Sequence, residues 1–169
     1  MANTFELIDS YTATGSVANI SFTSIPATFT DLVLKMSLRS SVTDSSDPYD
    51  LIFTLNATST IASKVLRGNG SVVSSNSITT SILRAGAVPS NWTANTFSNG
   101  EIYIPNYAGS NYKSWSSDAV TENNATSADM SLVAGLTSIT APITSITIAG
   151  AAGNLVEHST AYLYGVSNA

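Results

Sequence analysis

Between Asp31 and Arg39 the chain alternates without a break, with Leu32, Leu34, Met36 and Leu38 on one side and Val33, Lys35, Ser37 and Arg39 on the other. A period of two belongs to a strand, because successive side chains leave an extended backbone in opposite directions. Leu51, Phe53 and Leu55 repeat the pattern after the turn-rich stretch Thr43–Pro48. Short runs bounded by Gly, Pro, Asn, Asp or Ser predict further strands at Phe5–Ile8, Val17–Phe22, Ser63–Leu66, Thr79–Leu83, Glu101–Ile104, Tyr112–Ser116, Met130–Val133, Ile143–Ile148 and Ala161–Val166. Helices have little to draw on. Glutamate (4) and lysine (3) are rare, whereas isoleucine (13), valine (11) and threonine (21) suit a pleated, half-buried surface.

Turn chemistry agrees with this pattern. Gly68-Asn69-Gly70 between Leu66 and Val72 reads as a hairpin connection, since Gly and Asn tolerate positive φ. Asn99-Gly100 gives a second turn signal, and the stretch Gly150 to Asn154 gives a third, ahead of the last strand. About ten short strands with regular turns predict an all-β chain, an antiparallel β-sandwich of the jelly-roll kind. No linker or shift of composition divides residues 1–169, so one domain is expected.

Composition narrows the function. Charged residues are 10% of the chain, against about 25% in an ordinary soluble domain. Serine (28), threonine (21) and asparagine (14) take over the polar role. The six basic residues, Lys35, Arg39, Lys64, Arg67, Arg84 and Lys113, are scattered through a chain of net charge −5, which speaks against binding nucleic acid through its phosphates. With no cysteine there is no disulfide, thiolate metal site or thiol nucleophile. The apolar tract Ile146 to Ala152 falls far short of the ~20 residues of a membrane helix, and Glu6 and Asp9 break any export signal. Asn-x-Ser/Thr triplets at Asn19, Asn56, Asn69, Asn91 and Asn124 are about as many as this composition supplies by itself.

Three groups of residues invite a chemical reading. Asp44, Asp47 and Asp50 are hard oxygen ligands in one loop, but their spacing follows no calcium-loop pattern and no glycine supplies its sharp turn, so a solvated loop is expected and no metal. The aromatic segment from Trp92 to Trp115 offers Trp92, Tyr107 and Trp115 as rings to stack on sugar, with Asn106 and Asn111 as donors. The competing reading puts those aromatics in the core or an interface, with Ile102 and Ile104 on the core face. Glu157, His158 and Ser159 superficially resemble acid, base and nucleophile, but neighbours on a strand point to opposite faces. Phosphate-binding glycine loops and hydrolase motifs are absent, so neither an enzyme nor a cofactor is expected.

Four stretches carry a resemblance: Met1-Ala2-Asn3-Thr4-Phe5-Glu6-Leu7-Ile8, Ser24 through Lys35, Glu101-Ile102-Tyr103-Ile104-Pro105-Asn106-Tyr107, and Leu163-Tyr164-Gly165-Val166. Over almost its whole length the chain resembles small structural proteins of tailed bacteriophages, common in phages of marine bacteria and cyanobacteria. The resemblance implies a virion component assembled in the host cytoplasm. Its foremost form is a capsid decoration or cement protein, a homotrimer binding the major capsid protein or other virion proteins. The alternative is a tail-fibre or receptor-binding domain that recognises host surface glycan through Trp92, Tyr107 and Trp115. No catalytic residue carries over from the resemblance.

Overall fold

The structure is a computed structural model that describes residues 4–43, 49–58, 62–79 and 82–167. Among the described residues twelve strands follow one another: β1 (Phe5–Thr12), β2 (Asn19–Phe22), β3 (Asp31–Ser37), β4 (Tyr49–Leu55), β5 (Ala62–Gly68), β6 (Val73–Ile78), β7 (Ile82–Ala87), β8 (Asn99–Ile104), β9 (Lys113–Glu122), β10 (Ala128–Thr137), β11 (Ile146–Gly150) and β12 (Thr160–Val166). They form an eight-stranded sheet in the order β1-β12-β3-β8-β9-β10-β5-β6 and a four-stranded sheet in the order β2-β11-β4-β7. Every strand pair is antiparallel, so the chain is an all-β sandwich.

The alternation read from the sequence builds the core. Leu32, Leu34 and Met36 of β3, Ile102 and Ile104 of β8 and Leu163 of β12 point inward from the larger sheet. Ile20, Phe22, Leu51, Phe53, Leu55, Ile146 and Ile148 meet them from the smaller one. Burial of such side chains is the main favourable term in folding, and two sheets of opposed apolar faces are a standard way to obtain it. Trp115 of β9 is wedged between the sheets, edge-on to Phe53 with ring centroids 5.2 Å apart. Its cross-strand partner is Gly135, where a Cβ would stand 2.0 Å from the indole.

Turns use asparagine as anticipated. Asn69 Oδ1 accepts from the amides of Ser71 and Val72, and Gly70 takes φ +84° to close the β5–β6 hairpin. The β9–β10 hairpin is closed likewise, with Asn123 Oδ1 accepting from Ala125 and Ser127 and Asn124 at φ 55°.

Several expectations change in detail. Asn99-Gly100 is no turn: both residues lie in β8, where Gly100 packs between Met36 and Ala119. β9 and β10 run ten residues each, well beyond Tyr112–Ser116 and Met130–Val133, because hydroxyl side chains hold several of their inward positions and hide the alternation. β11 starts at Ile146, not Ile143, since the Asn56 carboxamide binds the amides of Thr144 and Ser145 in place of a neighbouring strand. Arg39 lies beyond the end of β3 and is buried. Its guanidinium donates to the carbonyls of Ser90, Trp92, Thr93 and Thr96 and so holds the 90–96 loop in shape.

Candidate functional site

Two hairpins, β5–β6 and β9–β10, extend the larger sheet past β8, and β7 of the smaller sheet packs under β9 and β10. Register fixes the outward face of this extension. Val120, Met130, Gly68 and Val73 form one row across the four strands; Asp118, Leu132, Leu66 and Ser75 form the next; Ser116, Ala134, Lys64 and Ser77 form a third.

In β10 the usual polarity is inverted. Met130, Leu132, Ala134 and Leu136 face solvent, while Asp129, Ser131, Gly135 and Thr137 face inward. Val133 is the one large apolar side chain that β10 sends into the core. The buried polar side is held by an ion pair from Arg67 Nε to Asp129 Oδ2, beside buried Ser131 and Thr121, with Ser63 buried further along β5 opposite Gly135. Outside, Met130 is 62% exposed, Leu132 59%, Leu136 49%, Leu66 49%, Val120 44% and Val73 76%. Together these six residues expose on the order of 600 Å², backbone included, toward the top of the range for the largest apolar patch on a monomer. Two shallow grooves, of about 450 and 360 Å³, run along either side of Leu66 and Leu132. The polar flank is thin: Lys64 donates to Ser77 on one side, and Asp118 stands on the other.

Sequence reasoning did not single out this face. The signal was present in the alternation of Met130, Leu132, Ala134 and Leu136, but periodicity says which residues share a side, not which side is wet.

The three stacking candidates are inside. Tyr107 is 0% exposed, Trp115 3% and Trp92 7%, and stacking on a sugar needs an open ring face. Tyr107 is pinned by its hydroxyl, which donates to the Pro26 carbonyl and accepts from the Phe29 amide. Burial raises its pKa above the ordinary tyrosine value. Asn106 sits at φ 48°, and its amide donates to the Asp31 carboxylate, which also receives the Tyr103 hydroxyl. The glycan site offered by Trp92, Tyr107 and Trp115 is therefore corrected: these residues are core.

Asp44 and Asp47 lie outside the described residues, and among the described residues no group of three His, Asp or Glu side chains is placed to hold a metal. His158 is exposed at φ 69°, while Ser159 is buried with its hydroxyl bonded to the backbone of Arg39. These neighbours do not converge. Lys113 is buried, its ammonium donating to the carbonyls of Gly109 and Asn111, and burial pulls its pKa below the usual lysine value. It caps a turn.

What the arrangement offers chemically is adhesion: a wide apolar patch on a stiff sheet, with Lys64 on one flank and Asp118, next to the Lys35–Glu101 ion pair, on the other. Comparison with family models, with curated proteins and with solved structures returned no match to this chain.

Proposed function

We propose that the chain is a virion structural protein of a tailed bacteriophage, a decoration or cement protein that binds the outside of the head and stabilises it. The observation that carries this reading is the outward apolar row of β10, on a chain that is only 10% charged. A surface of this kind gains free energy when a neighbour removes it from water. Copies repeated on a symmetric shell multiply a modest contact into firm attachment. Self-association belongs to the same reading, with a three-fold ring as its expected form and the major capsid protein as the scaffold.

The connectivity supports the jelly-roll form of the sandwich. Without the hairpins β5–β6 and β9–β10, the sheets read β1-β12-β3-β8 over β2-β11-β4-β7. That is the nested four-plus-four order of a jelly roll, an architecture used by viral capsid proteins among others. The link from architecture to virion is analogy. The two hairpins are then additions to a common core, and the exposed patch lies on them. A tail-fibre domain reading host glycan gains no support here, because Trp92, Tyr107 and Trp115 are buried.

The test is to strip the protein from purified particles and follow head rupture on heating. Stripped heads should break at lower temperature and regain resistance when the protein is added back. Unchanged resistance in both states contradicts a cementing role.

A further inference from the structure

The outer face of the hairpin extension is self-complementary, and we infer that a second copy of this chain covers it through a two-fold contact centred on Leu132 and Ala134. The inference deepens the assembly reading above by assigning the β10 face to a second copy, so that a three-fold ring forms only through other surfaces, as a hexamer of two-fold pairs; it rests on that reading only in that both require copies to associate.

Three observations converge on it. The patch is large: its six apolar residues alone expose on the order of 600 Å², most of the roughly 800 Å² per partner of a standard interface. It is also stiff, because β9, β10 and β5 are paired along their whole outward rows and β7 packs beneath β9 and β10. Finally, its flanking charges are of opposite sign, so a two-fold contact can pair them across the interface. Lys64 stands beside Ala134 on one flank of β10, and Asp118 stands beside Leu132 on the other. The two charges are thus set diagonally, about two strand spacings and one two-residue rise apart.

An isologous contact brings one patch onto itself. An axis lying in the contact plane, running obliquely between Leu132 and Ala134, exchanges the two flanks. Lys64 of each copy then meets Asp118 of the other. In the same registration Leu132 packs near Leu66 of the second copy and Leu136 over its Tyr103, which is 37% exposed on β8. The strands of the two copies cross steeply, in the orthogonal mode of sheet packing.

The test measures the mass of the full chain by light scattering over a dilution series. The wild type should contain an even number of chains, in the simplest case two of 17.5 kDa each. Leu132→Asp should raise the dissociation constant of the pair by about a hundredfold or more, as loss of a central anchor does. Lys64→Asp should raise it by roughly tenfold, and adding Asp118→Lys should restore most of that loss, since the reversed pair attracts again. Circular dichroism checks that each variant folds. If Leu132→Asp does not fold, the charge reversal decides alone. A wild type with one chain or an odd number of chains, association indifferent to Leu132→Asp, or a double variant no better than Lys64→Asp overturns the inference. Particle binding is scored separately. Pairing without particle binding leaves this contact standing and removes the virion reading, and particle binding by a monomer does the reverse.

Discussion

At the scale of single residues, polar groups that look available for chemistry are committed to the fold. The Arg39 guanidinium donates to four loop carbonyls, Lys113 to two, and the Ser159 hydroxyl serves the Arg39 backbone. Two tyrosines are committed in the same way, and they carry a pH prediction. Hydrogen bonding to Asp31 raises the Tyr103 pKa, and burial raises that of Tyr107, both from 10.0. A raised folded-state pKa means stability that is whole below the ordinary value and is lost as pH climbs through the raised one. Lys113 opposes this: its folded pKa lies below 10.5, so the unfolded chain holds more protons there and stability gains as pH rises through that window. In an ultraviolet titration, Tyr103→Phe and Tyr107→Phe should each remove one tyrosine's absorbance change from the range above 10.0. Loss of that change from below 10.0 in either variant would contradict these placements.

At the scale of elements, the pairing of β9 with β10 depends on a size match, a glycine opposite a tryptophan. Gly135→Ala places a methyl into the Trp115 indole, which Phe53 holds from the other side. The expected cost is roughly 1–3 kcal/mol from overpacking, read as a thermal midpoint several degrees lower. An unchanged midpoint would mean that the indole is not seated there. The same two strands mark the boundary of what the sequence discloses. β3 was legible end to end because Leu32, Leu34 and Met36 are all apolar and all inward. The β5–β6 turn was legible because Asn69 and Gly70 have few other uses. The full length of β9 was hidden by the buried hydroxyls of Ser117 and Thr121, which look like surface. The facing of β10 was hidden for a deeper reason. A one-residue change of register turns every side chain over. Only the three-dimensional arrangement decides that Met130, Leu132 and Leu136 point out and Asp129 points in.

The candidate site suffered from the converse error. Trp92, Tyr107 and Trp115 attract notice as large aromatics, and for the same reason they are the side chains a core most readily takes in. The exposed face is made instead of leucine, methionine, valine and alanine, which in isolation suggest an interior.

At the scale of the molecule, the chain combines a four-plus-four core with a four-stranded extension whose outer face is apolar. Few charges remain to keep such a surface apart from its neighbours. A domain of this make-up is suited to life in an assembly, where partners cover what it exposes. The most direct measurement is an image reconstruction of the intact particle, with the density assigned and the copies counted. The account predicts this fold on the outer surface of the head, in many symmetric copies, with β10 against a neighbour. Its absence from the particle, or its presence there with β10 open to solvent, would contradict the account.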